Sequence, residues 1–154
     1  MKNIILMTLT VAAIVGGYLF IDFNSLFNDA RGEVKFISQN ENCDLHNGPC
    51  DIVLEDGTRF NLEVFPKDIP LMKPVRFKIT SQNYDKEYIP IEVFAKNMNM
   101  GKQKVQLKKI KDNEYESNVI LPTCIRGNMK WNADIILDKI SHRVGAKFKF
   151  QTDY

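Results

Sequence analysis

Asp51-Ile52-Val53-Leu54-Glu55-Asp56-Gly57-Thr58-Arg59-Phe60-Asn61-Leu62-Glu63-Val64-Phe65 holds the fold signal of this chain. Phe60, Leu62 and Val64 alternate with the polar Asn61 and Glu63. A repeat of two residues puts all three apolar side chains on one face of a strand. Asp56-Gly57 separates this run from the shorter apolar run before it. Asp-Gly suits a tight hairpin, because glycine takes the positive φ that such turns need. The stretch therefore predicts two antiparallel strands, 51–54 and 59–65.

The same grammar extends outward. Glycine, proline, asparagine and aspartate interrupt the chain about every ten residues, and runs rich in Val, Ile, Phe and Tyr lie between them. Strands are expected at 34–38, 75–80, 89–95, 103–110, 114–121, 130–137 and 146–151. Val105 and Leu107 alternate with Gln106 and Lys108, and Phe148 and Phe150 alternate with Lys147 and Lys149. Asp112-Asn113 reads as a tight turn. Pro66, Pro70 and Pro74 place 67–73 in a loop rather than a central strand. No run beyond residue 23 keeps a helical period. Strands with one apolar face pack as two sheets over a shared core, so the expected class is all-β, an immunoglobulin-like antiparallel β-sandwich.

Ahead of the strands, residues 4–20 form an apolar run, with no charge between Lys2 and Asp22. About 20 helical residues cross a hydrocarbon core of roughly 30 Å. A cleaved secretory signal has a shorter apolar region, about 7–15 residues, and ends in an A-x-A-like site. No such site followed by a polar start is evident here. The expected organisation is an N-terminal transmembrane anchor or uncleaved signal over 1–23, a linker over 24–32 and a β-sandwich over 33–154. Lys2 favours the cytoplasmic side for the N-terminus. The chain is thus expected to be a single-pass protein of the inner (cytoplasmic) membrane. Its C-terminal domain would lie on the periplasmic, extracytoplasmic side.

The chain has 154 residues, with 21 Lys and Arg against 19 Asp and Glu. The exported part is close to neutral, which argues against a nucleic-acid partner. Lys102, Lys104, Lys108, Lys109 and Lys111 are interleaved with apolar residues and read as a solvated strand face. Enzyme signatures are absent: the chain has no G-x-S-x-G, no H-E-x-x-H and no P-loop. His46 and His142 lie far apart in sequence, and the carboxylates mostly sit at alternating positions expected to face solvent. The chain is therefore read as non-enzymatic.

Cys43 and Cys50 flank the polar, turn-rich Asp44-Leu45-His46-Asn47-Gly48-Pro49. In an oxidising compartment the pair is expected to form a disulfide. The alternative is a soft-metal site made by two thiols and His46. Cys124 is then left over, in Thr123-Cys124-Ile125-Arg126-Gly127. It has three readings: a buried small hydrophobe, an exchange partner for the pair, or a metal-binding or reactive thiolate.

Met98-Asn99-Met100-Gly101 closes a predicted strand, which puts the two thioethers on one face. Thioether and thiolate sulfur suit Cu(I). Met98, Met100, Cys124 and Met129 are therefore a candidate metal set, with Cu(I) as the candidate cofactor. Methionine also fills irregular gaps in cores, and that reading stands beside the first. Trp131 is expected in the core.

The stretch 89–151 resembles the YtkA-like and FixH-like group of membrane-anchored immunoglobulin-like domains. The features that carry it are Met98-Asn99-Met100-Gly101, the turn at Glu114-Tyr115-Glu116, the apolar strand to Leu121 and a closing strand from Trp131. Asp112-Asn113 stands here in place of the glycine that precedes the turn tyrosine in that group. The resemblance implies an envelope accessory protein that assists assembly of a respiratory redox complex, with a cytochrome oxidase assembly component as partner, or one that handles copper. Met98 and Met100 match the group's methionine motif. The other reading is a structural or protein-interaction subunit of an envelope complex with no metal.

Overall fold

The computed structural model describes Met7, Thr10, Val11 and residues 34–123, 127–138 and 143–152. The chain divides into two units, Met1–Glu33 and Val34–Tyr154. The anchor and linker readings for 1–32 lie outside the described residues, apart from Met7, Thr10 and Val11. Among the described residues no helix is long and apolar enough to cross a membrane.

The second unit is all-β. Its nine strands are β1 (Val34–Ser38), β2 (Cys50–Val53), β3 (Arg59–Phe65), β4 (Pro74–Gln82), β5 (Tyr88–Ala95), β6 (Lys102–Lys111), β7 (Glu114–Ile120), β8 (Met129–Asp138) and β9 (Arg143–Thr152). Each expected strand is present, with ends that differ by a few residues. The Asp56-Gly57 turn joins β2 to β3, and Gly57 takes φ +80°. Asn113 takes φ 63° between β6 and β7, a conformation that asparagine tolerates better than most residues.

The strands run β1-β9-β8-β5-β6-β7-β4-β3-β2 in one hydrogen-bonded series. This differs from the expected pair of separate sheets. The cause lies in β6. Residues 102–108 pair with β5, while the end of the same strand pairs with β7, across a register shift between Lys109 and Lys111. A ten-residue strand exceeds the roughly 10 Å between packed layers, so a bulged strand can belong to both. Lys111 and Lys78 both bond Glu114 at this corner and hold its carboxyl below the usual range. The edges of the series approach each other, and Lys35 on β1 pairs with Glu55 in the β2–β3 turn. The array is therefore nearly closed. β1 runs parallel to β9, whereas the other pairs are antiparallel.

Apolar residues from strands distant in the series meet in one core. Phe77 on β4 contacts Phe150 on β9 edge-to-face, with centroids 6.1 Å apart, although these strands share no hydrogen bonds. Phe60, Leu62, Val64, Phe77, Ile79 and Phe148 are fully buried. Tyr115 lies at 0 % exposure and donates its hydroxyl to the Lys86 carbonyl at 2.8 Å. Its neighbour Tyr84 bonds the Tyr88 carbonyl, and burial followed by the charge of Tyr115 pushes its phenol up to about 12. Both rings fill the core while keeping their hydroxyls satisfied.

Candidate functional site

Along β8, Trp131, Ala133, Ile135 and Leu137 point into the core. The intervening Asn132 and Asp134 therefore lie on the outer face of the sheet, where polar residues normally meet water. Here they do not: Asn132 is 7 % exposed and Asp134 is 4 % exposed. The expectation that carboxylates face solvent fails at Asp134.

Register explains the setting. Glu92 on β5 is opposite Asp134, Asp134 is opposite Lys147 on β9, and Glu92 is opposite Lys104 on β6. The four form a row across the strands with charges in the order plus, minus, minus, plus. Lys102 and Lys104 reach Glu92 at 3.2 and 3.7 Å, and Lys147 reaches Asp134 Oδ2 at 3.8 Å. Asp134 Oδ1 is buried without a hydrogen-bond partner. Like charges directly opposite one another are unfavourable, and an orphaned polar atom adds to the strain. Burial pushes the Asp134 carboxyl up to about 6, against the pull of Lys147 and Lys102 and with a further rise from Glu92. Aromatic rings flank the row. Lys147 Nζ sits 4.1 Å above the Phe36 ring, and Lys102 Nζ sits 5.0 Å above the Phe94 ring. Gly145 makes room for Phe36, since a Cβ there would lie 2.5 Å from the ring.

The adjoining row, Phe94, Asn132 and Lys149, opens into a pocket of about 510 Å³. Lys96, Lys130, Trp131, Phe150 and Gln151 line one side, and the segment Gln39 to His46 forms the other. Two side chains anchor that segment to the free edge of β9. Gln39 takes the place that the end of β1 leaves empty: its amide donates to the Lys149 carbonyl at 2.9 Å and accepts from the Lys149 N–H at 3.0 Å. His46 bridges the loop after β3 and the end of β9, with Nδ1 2.6 Å from the Lys67 carbonyl and Nε2 2.7 Å from the Gln151 carbonyl. A carbonyl only accepts, so the neutral ring can donate one of these bonds and the imidazolium both. Replacing His46 by alanine releases both carbonyls and is expected to lower stability by about 1–3 kcal/mol. Urea unfolding at fixed pH measures this, and an unchanged midpoint would show that His46 is not a structural clasp.

Cys43 and Cys50 are joined, with Cα atoms 5.8 Å apart. This removes their thiols, and His46 has both ring nitrogens occupied, so the thiol-and-histidine metal alternative fails. Among the described residues no group of three or more His, Cys, Asp or Glu is arranged to hold a metal ion.

The sulfur residues fall as follows. Met98 and Met100 lie in the loop between Ala95 and Lys102, beyond the end of β5, and are partly buried against the core. Strand alternation therefore does not set their directions. Met129 is at 0 % exposure in β8. Asn97 ties this loop to the start of β8, donating to the Asn128 carbonyl at 3.0 Å and accepting from the Lys130 N–H at 3.1 Å. Cys124 and His142 lie outside the described residues. Trp131 is buried as expected, stacked on Phe150 and bonded through Nε1 to Thr152.

Sequence reasoning passed over Asp134, Asn132 and Gln39. The one signal was the run Trp131-Asn132-Ala133-Asp134-Ile135-Ile136-Leu137, where two polar residues sit in an otherwise apolar strand. Comparison of the chain with protein-family models, with curated proteins and with solved structures finds no match.

Proposed function

We propose that this chain is a non-enzymatic accessory protein of the cell envelope, tethered by residues 1–23, which works by binding a partner through the outer face of β5, β8 and β9. The observation that carries this reading is the buried, unpartnered Oδ1 of Asp134 on that face, next to the largely buried Asn132 that lines an open pocket. A surface kept only for solubility gains nothing from an orphaned carboxylate oxygen. The disulfide supports the location, because such bonds persist in oxidising compartments.

The fold reading is an immunoglobulin-like sandwich whose layers are joined at one corner. It is supported by the neighbours β3-β4-β7 in one part of the series and β6-β5-β8-β9 in the other. The sequence resemblance to the YtkA-like and FixH-like domains adds the partner class, an assembly component of a respiratory redox complex.

The test is a thiol and topology assay on the full chain in its own membrane. Cys43 and Cys50 are expected to resist alkylation without reductant, and the domain is expected to be digested by protease added outside intact cells or spheroplasts. Reduced thiols together with protection from external protease would overturn the reading.

A second reading is Cu(I) handling, favoured by the Asn97 bonds that hold the Met98–Met100 loop against the segment around Met129. Met98, Met100 and Cys124 would supply the exchangeable sulfur, with Met129 as a further thioether. Anaerobic titration of the reduced protein with Cu(I) against a competing chelator tests it. Stoichiometric binding that disappears in a Met98→Leu, Met100→Leu variant supports copper; no binding leaves the metal-free module.

A further inference from the structure

We infer that the pocket beside β8 and β9 binds a carboxylate whose neighbouring group donates an N–H, the chemistry shared by N-acyl amino acids and free peptide C-termini. This deepens the binding-module reading and rests on it.

Three lysines line the pocket: Lys96 past the end of β5, Lys130 on β8 and Lys149 on β9. None has an ion-pair partner among the described residues, whereas Lys102, Lys104, Lys109, Lys111 and Lys147 each have one. Unpaired surface lysines alone define nothing. Asn132 supplies the independent observation. It is 7 % exposed, it lines the pocket, and its side chain makes no hydrogen bond to any described residue. The amide atoms are not among the buried, unpartnered ones, so in a residue otherwise closed off by its neighbours they face the pocket and can bond an occupant there.

The facing wall selects among anions. Glu41 and Asp44 line it and bring two negative charges against the three positive ones. A singly charged carboxylate balances this set, whereas a phosphate dianion overshoots it. Asp44 already accepts from the His46 N–H and the Asn47 amide, so on this wall the Glu41 carboxylate is the acceptor for an N–H, which an amide next to the ligand carboxylate supplies. Gln39 and the His46 ring are already committed to the backbone, so they shape this wall rather than contact the ligand. A volume of about 510 Å³ suits a ligand of a few residues.

The full chain in detergent micelles, labelled with ¹⁵N, is titrated with N-acetylalanine, N-acetylalaninamide, inorganic phosphate, and a hexapeptide with either a free or an amidated C-terminus. N-acetylalanine, the free-ended peptide or both are expected to shift the Asn132 side-chain amide and the Lys149 backbone amide. A preference for the peptide identifies a chain terminus as the source, and equal binding identifies the small molecule as sufficient. Lys130→Ala with Lys149→Ala is expected to weaken binding by about tenfold or more. An Asn132→Asp variant retains shape but repels the anion, and is expected to abolish the shift of the Lys149 backbone amide while leaving the spectrum of a folded protein. The inference is overturned by equal binding of the amidated probes, by binding of phosphate alone, by unchanged affinity in the lysine variant, or by no shift with any probe. If carboxylate binding fails while the thiols are joined and the domain is exposed outside the cell, only the ligand class falls. If the topology assay fails as well, the accessory-protein reading falls with it.

Discussion

Replacing Cys43 and Cys50 together by alanine lowers the stability of the domain by about 2–3 kcal/mol in a Cys124→Ser background. The bridge closes a short loop, with the cysteines seven positions apart. In the chain-entropy account, a closed loop of this size removes about that much freedom from the unfolded chain. The loop is also built into the fold. Cys50 is at 0 % exposure in β2, Leu45 inserts into the core at 0 % exposure, and His46 bonds two distant carbonyls. Asp44 organises the turn by accepting from the His46 N–H and the Asn47 amide, each at 3.0 Å. These contacts persist in the folded variant, so the loss comes from the unfolded state together with packing around Cys50. For a domain of about 120 residues the thermal midpoint should fall by about 10 °C. Thermal unfolding of the oxidised protein, the reduced protein and the double variant checks this. A loss below about 0.5 kcal/mol, the range of an ordinary surface change, would show that the bridge is incidental to the fold.

Asp134→Asn makes the protein more stable at neutral pH and changes the shape of its pH dependence. Burial pushes the folded carboxyl up to about 6, from the ordinary 3.8 of an aspartate. Between these values the folded state holds more protons than the unfolded state, so the contribution of Asp134 to stability declines as pH rises. That contribution is complete below about pH 4 and is lost as pH passes through about 6. The ionised residue then weakens the fold by up to about 3 kcal/mol relative to its protonated form. Asparagine keeps the shape without the charge, and its carbonyl still faces Lys147. A gain of about 1–2 kcal/mol at pH 7.5 is expected, with little difference from the parent at pH 4. Urea unfolding of both proteins across this range measures it. The readout is the difference between them, because Glu114, whose carboxyl is held low by Lys111 and Lys78, drives the parent curve in the opposite direction. A difference that does not grow with pH would remove Asp134 from this role. The same variant bears on function: a residue that weakens the fold yet occupies the face proposed to bind a partner is expected to trade stability for that contact.

Much of the fold was readable in the chain. Strand alternation is a local property, carried by neighbours such as Phe60-Asn61-Leu62, and turns are set by single residues such as Gly57 and Asn113. The Cys43–Cys50 bridge was equally local, since a short, polar, turn-rich insert brings its ends together. The candidate site was far less legible. Strand alternation puts Asn132 and Asp134 on the face opposite the core but cannot say what covers them. Their surroundings come from other strands: Phe94 is opposite Asn132, Lys147 reaches Asp134, and Phe36 packs on Lys147 and Gly145, all remote in sequence.

By itself, then, the order of residues determined nine strands, their turns and the bridged loop, because each rests on interactions a few positions long. Only the tertiary structure decided that one bulged strand, β6, links the layers into a single series, and that Glu92 faces Asp134. It alone decided that Gln39 and His46 cap the open edge of β9 beside the pocket. Those outcomes depend on register between strands far apart in the chain, where a slip of one residue turns every side chain to the other face.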